Sequence, residues 1–157
     1  RVNKSGAFNV PFGKYTNPTI CDSETIRADS KLLQRVEICQ GDFEHTFDYA
    51  EGNTFFYFDP PYYNKGQKLY KNFFTPQDHQ RICDVISNEI ASPWIITYDD
   101  VNQIAEMYAG YEMRHFDLTY SAANKGTASE LMIFSDIGGC PSQKQLDDNR
   151  IKINLRA

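Results

Sequence analysis

Asp59-Pro60-Pro61-Tyr62 follows directly on the apolar run Thr54-Phe55-Phe56-Tyr57-Phe58. A run this short, rich in aromatics and stopped by two prolines, predicts a strand buried on both faces rather than a helix. Proline lacks a backbone N–H and biases the preceding residue toward extended geometry, so paired prolines end the strand and stiffen the turn after it. A carboxylate, rigid carbonyls and an aromatic ring then stand at the carboxyl end of a strand, where open α/β sheets bind their ligands. Such a tetrad suits methylation of a planar amino group whose lone pair is spread into a ring. Two fixed acceptors on the amine hydrogens, the Asp59 carboxylate and a proline carbonyl (most simply that of Pro60), draw the nitrogen toward tetrahedral and aim its lone pair at the electrophile. Tyr62 offers a face on which a base can stack, worth about 1–3 kcal/mol per base. The plainer alternative is a strand-to-loop turn in which Asp59 caps a backbone N–H.

The surrounding chain supplies the elements that would position these residues. Asp22 or Ser23 caps a helix running to about Arg35, with Ile26, Leu32 and Leu33 on its apolar face. Val36 to Cys39 reads as a short strand leading into Gly41-Asp42-Phe43. Thr75-Pro76-Gln77-Asp78 opens a helix with a capping hydroxyl, a first-turn proline and an acid three residues past the cap; Ile82, Val85, Ile86 and Ile90 form its stripe. Trp94 to Tyr98 is a second buried-type strand. Asp99 or Asp100 caps the next helix, where Val101, Ile104, Ala105 and Tyr108 share one face and Gly110 ends it. Tyr111 to Thr119 reads as a strand near an edge, and Leu131 to Phe134 as the strand returning from the loop 120–127. Residues 137–157 have no periodicity and read as a mobile extension or a crossing linker.

The chain of 157 residues is 41% apolar and 24% charged, which suits one globular domain. Its four cysteines and three histidines show no zinc-type spacing, no apolar run reaches membrane length and no signal-peptide pattern opens the chain, which points to a reducing cytosol. A net charge of −5 runs against phosphate binding in the sum but not in its distribution. Residues 1–16 and 60–77 carry Arg1, Lys4, Lys14, Lys65, Lys68 and Lys71 with no acid, whereas residues 22–51 hold eight acids against three bases. In the second basic stretch the lysines alternate with aromatics, as a loop covering nucleic acid requires. Asn3, Lys4, Lys14, Lys65, Lys68 and Lys71 are the candidate phosphate or base contacts; Phe8, Pro11 and Phe12 pack the loop against the core.

The tetrad resembles the catalytic motif of amino-methyltransferases dependent on S-adenosylmethionine. Phe8-Asn9-Val10-Pro11-Phe12-Gly13-Lys14-Tyr15, Gly41-Asp42-Phe43, the tetrad itself, and Tyr120-Ser121 through Glu130-Leu131 are together similar to the DNA adenine methyltransferases of the Dam type, in the family's order. The resemblance spans residues 1 to about 136. It implies an α/β fold with a Rossmann-like methyltransferase sheet, mostly parallel with a terminal antiparallel hairpin. It implies residues 1–20 as part of a target-recognition region, 21–136 as the carboxyl-terminal part of the catalytic domain, and 137–157 as an extension or linker. By the same resemblance Asp59, Pro60, Pro61 and Tyr62 are catalytic, and Asp42 and Phe43 hold the adenosine part of the cofactor next to Asp59. The substrate implied is an adenine flipped out of double-stranded DNA, at a cost of roughly a few kcal/mol, with no metal and no covalent enzyme intermediate.

The departure from the family is the glycine-rich cofactor loop, Phe-x-Gly-x-Gly, for which the chain has no counterpart. The expectation is therefore a sheet incomplete at its amino-terminal strands, with an open apolar edge and no activity until the amino-terminal half or a second copy of the chain completes it. Two other readings stand beside DNA adenine methylation, whether for restriction-modification or housekeeping. One keeps the chemistry with an RNA base or protein glutamine as acceptor; the other is a non-catalytic DNA-binding remnant.

Overall fold

The structure is a computed structural model that describes residues 5, 7, 16–64, 73–120 and 126–157. Four strands form one sheet: β1 (Phe56–Phe58), β2 (Trp94–Asp99), β3 (Glu112–Tyr120) and β4 (Gly126–Phe134), in the order β1-β2-β4-β3. β1 pairs with β2 in parallel, and β4 runs antiparallel to both β2 and β3. The parallel pair and the closing hairpin are the ones expected, but antiparallel pairing predominates among the described strands.

Period-two alternation gives the sheet two distinct faces. Phe56, Phe58, Trp94, Ile96, Tyr98, Leu131 and Ile133 point to one side and join the core with α2 (Pro76–Glu89) and α3 (Asn102–Met107). Tyr57, Thr97, Asp99 and Glu130 point to the other. β1 is accordingly not buried on both faces: Phe56 and Phe58 are buried while Tyr57 is 60% exposed.

α2 forms as its sequence predicts. Thr75 and Asp78 make a reciprocal capping box with Pro76 in the first turn, and Ile82, Cys83 and Ile86 are buried. α3 presents Ile104 and is followed by buried Tyr108. Its N-cap is Val101, without a side-chain cap bond, so neither Asp99 nor Asp100 plays the capping role expected of them. Asp100 pairs instead with His115 at 3.1 Å.

Two other expectations are corrected. α1 (Ser23–Leu33) is capped by Asp22 as expected, but it buries no residue, and Ile26, Leu32 and Leu33 stay exposed. Val36 to Cys39 is not a strand: a strand needs a hydrogen-bonded neighbour, and among the described residues none lies alongside. Residues 137–157, expected as a mobile extension or a crossing linker, carry local structure. Gly138 and Gly139 turn the chain at positive φ after β4, α4 (Gln143–Asp148) starts at a Ser142–Gln145 capping box and buries Leu146, and Arg156 bridges to His115 on the outer edge of β3. No helix among the described residues is long and apolar enough to cross a membrane.

Ile86 is 1% exposed at the centre of the α2–sheet contact. Ile86→Ala is expected to cost about 2–5 kcal/mol of folding stability, read from the urea midpoint, because the rigid sheet beneath cannot close the cavity.

Candidate active site

Asp59 stands at the exposed carboxyl end of β1, and Pro60 beside it is buried. The Asp59 carboxylate accepts a hydrogen bond from the Thr97 hydroxyl at 3.3 Å, and the Tyr57 and Thr97 hydroxyls lie 3.1 Å apart. Because β1 and β2 are parallel, their carboxyl ends meet at one edge of the sheet, which lets Thr97 reach across. Tyr62 does not hang free: its hydroxyl donates to Glu130 on β4. Asp99 accepts from the backbone N–H of Tyr63 at 2.7 Å and of Asn64 at 3.0 Å. The tetrad is therefore held from both ends.

A 3-10 helix, Phe43–Tyr49, brings the second group of candidates to the same place. Its Phe47 makes edge-to-face contacts with Phe56 and Phe58 at 5.6 and 6.3 Å between ring centres, and Phe43 packs on Phe47. These aromatic contacts dock the helix on the core face of β1. Its N-cap residue Asp42 then lines one cleft of about 960 Å³ together with Phe43, Asp59, Pro60 and Pro61.

Arg81 of α2 also lines this cleft. Its guanidinium bonds both Asp42 oxygens, at 2.8 and 3.2 Å, reaches Glu44 at 2.5 Å and lies 4.5 Å above the Phe43 ring. Arg81, followed by the Glu44 backbone N–H, holds the Asp42 carboxyl below its ordinary range. The two contacts the resemblance gives to an adenosine are thus both taken by Arg81. All three side chains of this ion-pair network are about 40% exposed, so solvent screens it and it can open for a ligand.

The sequence candidates Asp42, Phe43, Asp59, Pro60 and Pro61 come together around one cleft, and Tyr62 lies next to it. Asn3, Lys4, Lys14, Lys65, Lys68 and Lys71 lie outside the described residues. Thr97, Asp99 and Glu130 are not among the sequence candidates. The signal that could have found them is polar residues on a strand otherwise apolar: Thr97 and Asp99 alternate at the end of β2, and Glu130 enters the apolar run 131–134.

A sequence profile of the D12 class N6 adenine-specific DNA methyltransferases matches residues 1–122. The type II methyltransferase M.MjaIII of Methanocaldococcus jannaschii is 53% identical over 62 residues, 40% of this chain and 22% of that protein. The retron Ec67 DNA adenine methylase of Escherichia coli is 27% identical over 141 residues, 86% of this chain and 49% of that protein. The DNA adenine methylase of Vibrio cholerae is 28% identical over 121 residues, 72% of this chain and 43% of that protein. The chain matches less than half the length of each of these relatives.

Tyr63, just after the tetrad, packs its ring 4.9 Å from that of His79, which also touches Phe74 and Tyr98. His79 is 1% exposed, and its Nδ1 lies 3.1 Å from the Tyr98 hydroxyl. Burial lowers its pKa from the ordinary 6.5, against the smaller opposing pull of Asp99 and Asp78. The unfolded chain therefore binds the proton more tightly, and stability present above pH 6.5 falls as pH drops below that value. A urea midpoint that declines from pH 7.5 to pH 5, with a smaller decline in His79→Gln, is the expected result.

Proposed function

The chain belongs to the D12 class N6 adenine-specific DNA methyltransferases, and on that premise we propose that it carries the acceptor site of a site-specific DNA adenine methyltransferase. The reaction is transfer of a methyl group from S-adenosylmethionine to the exocyclic amine of an adenine flipped out of the duplex. The observation that carries this reading is that Asp59, Pro60 and Pro61 of the tetrad line the same cleft as Asp42 and Phe43, with Tyr62 beside it. A cleft of about 960 Å³ lined by carboxylates and aromatic rings fits a nucleoside-bearing cofactor.

Asp42 can accept from the amino group of an adenosine and Phe43 can offer its ring, once Arg81 releases or shares them. When bound, S-adenosylmethionine supplies a methyl group on a positively charged sulfur. The Asp59 carboxylate and the Pro60 carbonyl accept the hydrogens of the target amine. Thr97 keeps the Asp59 carboxylate turned to its task, and the Tyr62 ring gives the flipped base a stacking surface worth about 1–3 kcal/mol. Asp59 acts by orientation and by hydrogen bonding rather than as a strong base, because the amine proton becomes acidic only as the methyl is transferred.

The parallel β1–β2 pair and the β3–β4 hairpin support a Rossmann-like methyltransferase sheet continuing beyond the outer edge of β1. Exposed Phe55 and Tyr57 beside that edge, with Ile26 and Leu33 of α1, support its completion by an amino-terminal segment or a second copy of the chain. The DNA contacts proposed are Asn3, Lys4, Lys14, Lys65, Lys68 and Lys71.

Incubation with labelled S-adenosylmethionine and adenine-containing duplex, with an amino-terminal segment of a relative added where needed, should yield N6-methyladenine. Asp59→Ala should lower the rate by at least about 10²-fold while leaving duplex binding within about twofold, since orientation and hydrogen bonding of the amine disappear together. Methyl recovered only in RNA or in protein glutamine would replace DNA as the substrate. Duplex binding without methyl transfer by any assembly would leave a DNA-binding remnant. Replacing Lys65, Lys68 and Lys71 with Ala together should flatten the slope of log affinity against log salt by about 0.9 for each phosphate that is no longer neutralised.

A further inference from the structure

We propose that Asp99 and Glu130 are a pair of buried positioning residues that hold the tetrad loop in its working shape; this rests on the proposed methyl transfer. The two face each other in register across β2 and β4, and antiparallel partners project to the same side of the sheet. They are 3% and 4% exposed. Carboxyl groups withdrawn from water need donors on their oxygens. Those donors lie on the tetrad loop.

Asp99 takes the N–H groups of Tyr63 and Asn64 on its two oxygens, and Glu130 takes the Tyr62 hydroxyl. Three consecutive residues, all directly after the two prolines, are bound to the pair. The Tyr62 hydroxyl fixes the direction of its ring, and the two N–H bonds fix the backbone that carries it. Asp59, on the other side of the prolines, is held separately by Thr97. The distance and angle between the acceptor that orients the amine and the ring that stacks on the base are thus set by β2 and β4. Neither Asp99 nor Glu130 lines the cleft. They act through Tyr62 and the loop backbone, and misplacement of a reacting group by about 1 Å costs about 10²-fold in rate.

The test is a double-mutant cycle on methyl transfer to duplex DNA by the full chain, in whatever assembly gives the wild type its activity. Glu130→Met, which removes the acceptor, and Tyr62→Phe, which removes the donor but keeps the ring, should each lower kcat by about 10–10²-fold. KM for S-adenosylmethionine should stay within about twofold in both, because that end of the cleft is untouched. The double variant should be no worse than the poorer single variant, and Glu130→Gln, which keeps an acceptor, should recover most of the rate. Additive losses, or wild-type kcat in Tyr62→Phe, would overturn the proposal. The second outcome decides it even if Glu130→Met fails to fold. A wild type that transfers no methyl in any assembly removes the proposed function, and the positioning claim is then decided by amide hydrogen exchange. Asp99→Asn should speed exchange at Tyr63 and Asn64 by at least about tenfold, as loss of a hydrogen bond to a charged acceptor implies. Unchanged exchange at both would overturn it.

Discussion

A carboxylate withdrawn from water must have its oxygens met by donors, and Asp99 meets that requirement with two N–H groups from a different strand's exit. The demand runs in both directions. Asp99 is tolerated at the end of β2 because the chain after Pro61 turns back to it, and that chain keeps its course because Asp99 receives it. Strand direction makes this possible. β1 and β2 run in parallel, so Asp59 and Asp99 leave the sheet at the same edge, and β4 runs the other way, with its middle residue Glu130 paired to Asp99 there.

The alternation of β2 then divides two tasks between two faces. Trp94, Ile96 and Tyr98 anchor the strand in the core beneath α2 and α3, while Thr97 and Asp99 hold the tetrad. A site carried on a strand packed this closely moves little, which is what the proposed orientation of a weakly nucleophilic amine would require. His79 links the two layers: it lies in the core on α2, yet its ring supports Tyr63 of the held loop.

Local chemistry makes part of this legible in the sequence. The strand before Asp59 and the cap of α2 are signalled by neighbouring residues alone, and both form, although β1 is buried on one face only. The elements that need a distant partner are less legible. Val36 to Cys39 has the composition of a strand but no described strand beside it. Asp99 stands where a helix cap would, and only the fold shows that it serves another loop. α4 is short and buries one side chain, so no period marks it, although its Ser142–Gln145 capping box is visible in the sequence.

The two ends of the cleft differ in how firmly they are built. At the tetrad end, buried acceptors and a rigid strand leave little freedom. At the other end Asp42, Glu44 and Arg81 form a network open to solvent, and Arg81 covers the Phe43 ring. Screening makes that network cheap to rearrange, and while it is closed the Arg81 contact holds the Asp42 carboxyl below its ordinary range. The asymmetry suits the proposed methyl transfer. The group that donates must enter and leave at every turnover, so the side chains that hold it work best when they are exchangeable. The group that accepts must meet the donor in one orientation, so the side chains that hold it work best when they are fixed. On the proposed reading, Arg81 covers the side chains that would hold an adenosine, and by giving way it would let the cofactor take over Asp42 and Phe43 from an existing partner.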